Sequence, residues 1–459
     1  MYRKYIEDLK KWLNNPRRKP LMIWGARQTG KSYLVEELFA KQFFANKYVY
    51  IDCRTERDIM HYCSEHINAT EVLNYISLKK NINIDKNVLL IFDEAQECLP
   101  IITLMKYFCQ DYREIPIIVT GSMVRIKIKR YNNKRGPKIE EGFLFPVGKI
   151  DELYIYPMNF EEYLINRNKV LYTYLVDAYH KKTAISSEMH ELSLSVFYEY
   201  LLIGGMPEAV DIFLETGSYQ LSREVLKTLY NNYLSDMDLY QASSESIIRS
   251  RKIYEEIFSQ LNKESKNFSP SLIGKGLKSR DLLSPIDWLT TSFIVEKSFL
   301  VNEIVTCPLV SSNDSLFRLY LCDIGMFSYQ SNIDPTYFIS KESRNYFSGI
   351  FFENYVANEL TNVGVKLFYW KGKNNSELEF IIQQNYEIIP IDVKKTKGKL
   401  GSLEKFKNHN KCNLAIKISS NQFGYDSANK ILTIPFYYVF LLCKDIINNS
   451  VFELVKDLN

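Results

Sequence analysis

Apolar and polar positions fall into contrasting patterns along the chain. Up to about residue 150, short unbroken apolar runs alternate with segments of helical period. The runs are Leu21-Met22-Ile23-Trp24, Tyr48-Val49-Tyr50-Ile51, Val88-Leu89-Leu90-Ile91-Phe92 and Ile115-Pro116-Ile117-Ile118-Val119. A strand apolar at every position is covered on both faces, so this region predicts an α/β fold, a parallel sheet between helices. From Pro157 the pattern turns helical until about Tyr240, broken at Gly204-Gly205-Met206-Pro207, which predicts a tight turn between helices. An amphipathic helix then runs from Ile247 to Leu261, with shorter ones near Ser271 to Gly274 and Ser284 to Leu289, before a strand pair opens at Ile294. Three helices and a hairpin predict a winged helix-turn-helix. The last section opens with a helix, Ile350 to Leu360, followed by strands at Lys366 to Trp370, Glu377 to Ile382 and Ile388 to Lys394. These changes predict segments at 1–158, 159–243, 244–335 and 336–459, the second forming a helical lid on the first.

Composition narrows the picture only slightly. Hydrophobic residues at 46% and charged residues at 24% are ordinary for a soluble globular protein, and 459 residues are enough for several domains with separate cores. A net charge of +4 over this length does not by itself imply a nucleic-acid partner. The cysteines at 53, 63, 98, 109, 307, 322, 412 and 443 have no repeating spacing, which fits buried thiols in a reducing compartment. Cys53, His61, Cys63 and His66 invite a zinc reading but contain no C-x-x-C pair. The longest apolar stretch, Ile431 to Cys443, is short for a bilayer span and contains Pro435, so a strand and helix are expected there. Met1-Tyr2-Arg3-Lys4-Tyr5 has no signal-peptide character, and a cytoplasmic location is the expectation. Arg125-Ile126-Lys127-Ile128-Lys129-Arg130, with Lys134, Arg135 and Lys138, is the one basic cluster. It reads as a ribbon turning at Asn132-Asn133, either a solvated excursion or a contact for DNA or a partner.

The first candidate chemistry lies between the first apolar run and the helix after it. Gly25-Ala26-Arg27-Gln28-Thr29-Gly30-Lys31-Ser32 fits G-x-x-x-x-G-K-[ST] in the required strand–loop–helix setting. Gly25 and Gly30 let the backbone curl so that N–H groups through Tyr33 face phosphate oxygens, aided by the helix N-terminus. Lys31 brings a charge to the β and γ phosphates, and Ser32 offers its hydroxyl to Mg²⁺. The apolar run ending at Phe92 is followed by Asp93, suited to hold the ion, and Glu94, suited to polarise water. Thr120 and Ser122 follow another run, where they could sense the γ-phosphate or simply form a turn.

A second candidate lies near the C-terminus: Glu353 on a helix, Glu379 on a strand, and Asp392-Val393-Lys394 on the next. Metal-dependent nucleases of restriction type use this order, with carboxylates holding Mg²⁺ and the lysine stabilising the attacking species. Period-two alternation puts Asp392 and Lys394 on one face, although strands with alternating charges are common.

Together these segments resemble prokaryotic ATP-binding proteins of the AAA/STAND-like group that carry a C-terminal domain of unknown function. The resemblance rests on GARQTGKS at 25–32, IFDEAQ at 91–96, VTGSM at 119–123 and PVGKIDELYIYPMNFEEYL at 146–164. It continues through IGGMPEAV at 203–210, SQLNKESKNFSPSLIGKG at 259–276, LYLCDIGMF at 319–327, GIFFENYVANEL at 349–360, and ELEFII with IPIDVK. It implies a P-loop ATPase core over 1–158, a helical lid, a winged-helix segment and a terminal domain of restriction-nuclease-like fold. Similar proteins usually have Asp where this chain has Glu379 and Glu where it has Asp392, and many have arginine where it has Lys149. The implied cofactors are ATP and Mg²⁺. The expected function is ATP hydrolysis coupled to DNA engagement through the winged-helix and C-terminal segments; Lys275, Lys278 and Arg280, near the predicted helical turn, could meet phosphates or simply solvate the module. The alternative is an ATP-dependent switch or scaffold whose nuclease-like domain does not cut. No membrane is implied, and a homo-oligomer stays open.

Overall fold

The computed structural model describes residues 1–122, 145–241, 243–335, 347–373, 376–395, 400–456 and 458. The basic segment from Arg125 to Lys138 lies outside them. The chain divides into two compact units. The first comprises Arg3–Tyr156 with Thr291–Phe293, and the second the remainder.

The first unit is a five-stranded parallel sheet in the order β2-β3-β4-β1-β5. Its strands are β1 (Leu21–Trp24), β2 (Tyr48–Asp52), β3 (Leu89–Asp93), β4 (Ile117–Thr120) and β5 (Asp151–Tyr154). Alternate positions of each central strand face opposite layers. Met22, Trp24, Leu90, Phe92, Ile117 and Val119 join one core, while Leu21, Ile23, Leu89, Ile91 and Ile118 join the other. Each such side chain contributes about 1.5–3 kcal/mol on full burial, which explains why these strands read as unbroken apolar runs. Strand β5 escapes that pattern. It is an edge strand of sequence Asp-Glu-Leu-Tyr, and only its pairing with β1 reveals it.

In the second unit, helices Phe160–Arg167, Lys169–His180, Ser187–Ile203, Pro207–Thr216 and Tyr219–Tyr240 cluster with the C-terminal part of the chain. The segment 159–243, expected as a lid, thus belongs to the second unit, where buried polar contacts hold its helices. Glu359 accepts from the Phe160 N–H at 2.7 Å and from Asn159 Nδ2 at 3.3 Å, closing the start of the helix Phe160–Arg167. Gly205 donates to Asp323 Oδ2 at 2.6 Å, and a Cβ on Gly205 would lie 1.8 Å from the Met158 carbonyl oxygen. The glycine break at 204–205 is thus a close-packing junction as well as a turn.

Two sheets complete this unit. Strands β6 (Val295–Leu300), β7 (Phe317–Leu321), β8 (Phe368–Lys371) and β9 (Glu377–Leu378) form one, ordered β7-β6-β8-β9. The other is ordered β10-β11-β12-β14-β13. Its strands are β10 (Phe380–Gln384), β11 (Glu387–Val393), β12 (Ala415–Ser419), β13 (Gly424–Asp426) and β14 (Ile431–Pro435). The pairs β11–β12 and β12–β14 are parallel, while β10 and β13 run antiparallel to their neighbours.

The helical region before β6 differs from expectation. The single helix expected from Ile247 to Leu261 is two, Ser244–Glu255 and Ile257–Leu261. Strands β6 and β7 pair antiparallel as a hairpin would, but β6 also pairs in parallel with β8. Strand β6 is consequently an inner strand of a four-stranded sheet, while β7 lies at its edge. Among the described residues, no helix is long and apolar enough to cross a membrane.

Candidate functional site

The glycine loop leaves β1 and enters a continuous helical stretch, 31–43, whose middle part Leu34–Ala40 has the wider π spacing. Two backbone positions explain the loop's glycines. Gly25 has φ 153, and a Cβ there would approach the Ile155 carbonyl oxygen to 2.2 Å. Gly30, with φ 81, takes the left-handed conformation that launches the helix. From outside the motif, Arg3 donates to the Thr29 carbonyl at 3.0 Å and to the Tyr156 carbonyl at 2.8 Å, tying the loop to the chain beyond β5.

A cleft of about 260 Å³ is lined by Arg27, Gln28, Gly30, Lys31, Ser32, Tyr33, Arg54, Asp93, Glu94, Gly121 and Ser122. Parallel strands β1, β3 and β4 all open toward it at their carboxyl ends, where α/β sheets hold ligands. Lys31 is buried and donates to the carbonyls of Ala26 at 2.6 Å and Gly25 at 3.2 Å. Burial lowers its ammonium to about 8, partly opposed by Glu94 and Asp93. Ser32 Oγ donates to Asp93 Oδ2 at 2.5 Å. A hydroxyl and a carboxylate so placed fit Mg²⁺, which takes oxygen ligands and keeps part of its water shell.

Asp93 is the hub of the cleft. Tyr50 OH donates to Oδ2 at 2.5 Å, the Glu94 N–H donates to Oδ1 at 2.9 Å, and Thr120 Oγ1 also bonds Oδ1. Burial alone would raise this carboxyl, but these donors outweigh it and hold Asp93 below its ordinary value. The Thr120 hydroxyl, expected as a γ-phosphate sensor, is buried against Asp93, whereas Ser122 lines the cleft itself. Glu94 sits in the left-handed region at φ 54, a costly backbone for this residue. Its Oε1 is 2.9 Å from Arg54 Nη2, and its Oε2 accepts from Gln96. Lys149 is absent from the residues lining this cleft.

Arg3, Tyr50 and Arg54 escape sequence motifs, whereas Gln96 ends the IFDEAQ stretch without a role assigned to it there. Tyr50 and Arg54 were accessible through one signal, since they flank the carboxyl end of the strand adjacent to β3. The other proposed metal reading has no support in geometry. His61 faces Glu65 at 3.4 Å and His66 stacks on Tyr62, while Cys53 and Cys63 are buried.

The C-terminal candidates do come together, but with companions. Glu379 lies at the bend between β9 and β10, Asp392 ends its side chain within β11, and Lys394 follows that strand. Lys394 Nζ is 2.6 Å from Asp392 Oδ1 and 3.8 Å from Glu379 Oε1. Glu379 Oε2 accepts from the Val393 N–H at 3.0 Å. Lys266 reaches Glu353 at 2.6 Å, Glu377 at 3.1 Å and Glu379 at 3.6 Å. Arg318, fully buried, reaches Glu353 at 3.0 Å and Glu377 at 2.7 Å, and Tyr320 OH donates to Glu353 at 2.7 Å. An ammonium and a guanidinium therefore stand among the carboxylates expected to hold a metal ion. Among the described residues, no group of three or more His, Cys, Asp or Glu is arranged to bind one.

The electrostatics of this cluster are internally balanced. Burial would lower Lys266, but Glu353, Glu379 and Glu377 raise it above its usual value. Burial would raise Glu379, but Lys266 and Lys394 hold it low. Asp392 is raised by burial and then by the charge of Glu379. Lys266, Arg318 and Glu377 were missed in the sequence. Arg318 carried a signal there, as one charge inside the apolar strand Phe317-Arg318-Leu319-Tyr320-Leu321.

Three families match separate parts of the chain: AAA domain over residues 17–164, domain of unknown function DUF8612 over 194–337, and domain of unknown function DUF4143 over 348–437. No curated protein matches in sequence. A Walker-type ATPase of Pyrococcus abyssi is similar in structure at 15% identity and TM-score 0.41, covering 72% of this chain and 95% of that one. Another similar structure is the replication initiator DnaA bound to AMPPCP and single-stranded DNA, at 14% identity and TM-score 0.26, covering 62% and 86% respectively. The family match and the parallel sheet make residues 17–164 an AAA-type P-loop domain.

Proposed function

We propose that the first unit binds Mg²⁺·ATP and hydrolyses it, and that the second unit engages DNA without cutting it, making the protein a nucleotide-dependent switch. The observation that carries the ATPase reading is the Ser32–Asp93 pair, 2.5 Å apart in a cleft shared with Lys31 and Glu94. On this reading the loop amides and Lys31 bind the phosphate tail, Lys31 exchanging its carbonyl partners for phosphate oxygens. Ser32 and Asp93 hold Mg²⁺, whose charge neutralises the phosphates. Glu94 orients the attacking water.

DNA engagement rests on two finer readings. The segment 244–335 is read as winged-helix, with Lys275, Lys278 and Arg280 exposed for phosphate contact, and 336–459 as restriction-nuclease-like. Lys266 and Arg318 among the acidic residues favour a platform that does not cleave. Asp392 with Lys394 is the observation that favours cleavage, and it sustains that alternative.

Both halves can be tested together. Wild-type protein should turn over ATP with Mg²⁺, and Lys31→Ala and Glu94→Gln should not. It should retard single- or double-stranded DNA in a gel and leave it intact with Mg²⁺ or Mn²⁺, with or without ATP. Absence of ATP turnover by the wild type would remove the first proposal. Cleavage that disappears in Asp392→Ala and Lys394→Ala would replace the platform by a nuclease, and failure to retard any DNA would remove DNA as the partner.

A further inference from the structure

The second unit contains a cleft of about 560 Å³ that neither candidate site uses. Its walls are the turn from β8 to β9, the helix Gly401–Asn410 and the loop after β6. The helix turns Leu403 and Phe406 into the core, which leaves Lys405 and His409, four residues apart on one face, to line the cleft. Lys373 and Ser376 come from the turn, and Lys405 Nζ donates to the buried Ser376 Oγ at 3.3 Å, tying helix to turn. Asn410 secures the loop, donating to the Glu303 carbonyl at 3.4 Å and accepting from the Val305 N–H at 2.8 Å. Trp370 also lines the cleft, its ring edge-on to Phe406 at 5.2 Å. A Cβ on Gly372 would lie 2.2 Å from Trp370 Cη2, so the chain fixes the indole closely.

The charges lining this cleft do not cancel. Lys373, Lys405 and His409 stand against one carboxylate, Glu303, and none of the four has an ion pair among the described residues. The Trp370 indole N–H is buried and has no acceptor among them either, a rare state for a donor in a folded protein. We propose that the cleft binds the phosphate monoester of a nucleotide or of a nucleic-acid strand end, with Lys373 and Lys405 as counter-charges and His409 as a further donor. A monoester carries about −1.5 to −2 charges at pH 7, which two lysines match and a phosphodiester does not. Lysine meets phosphate as a mobile point charge, and an imidazole has an N–H to give in either protonation state. Glu303 suits the rest of such a ligand, since a carboxylate accepts from sugar hydroxyls or base amino groups. The volume is in the range of about 300–1,000 Å³ common for small-molecule sites. All of these residues belong to the second unit, so binding here requires neither the glycine loop nor ATP turnover.

The full chain can be titrated in a calorimeter with inorganic phosphate, thymidine, thymidine 5′-monophosphate, and a short oligothymidylate with and without a 5′-phosphate. The monophosphate, the phosphorylated strand or both should bind about tenfold or more tightly than the counterpart lacking phosphate. Binding of the monophosphate supports a free nucleotide as the source, and binding of the phosphorylated strand alone supports a strand end. Lys373→Gln/Lys405→Gln should weaken that binding about tenfold to a hundredfold and leave ATP turnover at its wild-type rate. Both lysines are exposed, so the variant should fold, and an unaltered thermal transition checks this. If the transition shifts, Lys373→Gln alone serves, with a smaller loss expected, and no loss overturns the proposal. Indifference to the 5′-phosphate overturns it, as does unchanged affinity in the double variant. Inorganic phosphate binding as tightly as the phosphorylated ligands overturns it too, because the cleft would then recognise only a bare anion.

Discussion

In the first unit Asp93 and Glu94 stand beside an open cleft of about 260 Å³, and the nearest lysine is satisfied by backbone carbonyls of its own loop. In the second unit Glu353, Glu377, Glu379 and Asp392 are held by Lys266, Arg318 and Lys394, most of them buried. Both centres combine carboxylates with a lysine at strand ends. They differ in where the compensating charge comes from. A carbonyl partner is readily given up when a phosphate arrives, whereas buried carboxylates paired with fixed cations have little to gain from a ligand. Acidic residues and a lysine at suitable spacing therefore do not by themselves indicate catalysis, because the counter-charge can come from anywhere in the fold.

The contrast can be broken most forcefully in the second unit. Replacing Arg318 by Met leaves Glu353 and Glu377 without their guanidinium in a buried setting. A loss of about 3–5 kcal/mol is expected, read as an earlier denaturant transition, with ATP affinity preserved. An unchanged midpoint would mean that the cluster is not closed by this arginine. Lys31→Ala should act in the opposite sense. Since its ammonium contacts only loop carbonyls among the hydrogen bonds described, stability should change little, while ATP affinity falls by about a hundredfold or more in calorimetry. Retention of wild-type affinity would remove Lys31 from the site.

A gentler probe is pH. Burial lowers the Lys31 ammonium to about 8 in the ligand-free protein, and phosphate binding requires it charged. Below about pH 8 the lysine is protonated both free and bound, so affinity should be flat. Above it, binding must take up a proton, and affinity should fall about tenfold per pH unit until the bound lysine itself titrates. Proton uptake measured in buffers of different ionisation enthalpy checks this. No uptake at pH 9 would contradict it. The smallest effect is expected from Tyr50→Phe, which removes one donor from Asp93. Magnesium-dependent ATP turnover should weaken by roughly threefold to tenfold, the size of one ordinary hydrogen bond, since Asp93 keeps its other donors, and recover at higher Mg²⁺. A loss that Mg²⁺ does not relieve would point to Tyr50 acting elsewhere.

Much of the first unit was legible in the chain because a parallel strand buried on both faces must be apolar throughout. Strands β1, β3 and β4 and the loop after β1 announce themselves in this way, while β2, an edge strand with alternate positions half-buried, reads through Val49 and Ile51. β5 did not, because an edge strand with Asp151 and Glu152 has no such pattern, and only its register with Leu21 to Trp24 defines it. In the second unit the helix Gly349–Asn362 was legible as a helix, but not the duties of its polar residues. Asn354 bonds both the N–H and the carbonyl of Leu321, and Glu359 closes the helix at Phe160, contacts across wide sequence separations. The β6–β7 pair was likewise legible as a hairpin, whereas its continuation into β8 was not.

Local order is what the sequence by itself determined: the apolar period of each strand, the glycine loop with Lys31 and Ser32, and the carboxylates after β3. Such features depend on neighbours a few residues away, and their chemistry is written in residue type and spacing. Tertiary structure alone decided which charges face one another. It brought Arg54 to Glu94, Tyr50 and Thr120 to Asp93, and Lys266 and Arg318 into the acidic cluster. The physical reason is that electrostatic work depends on distance and burial, and folding sets both between residues that the sequence keeps far apart.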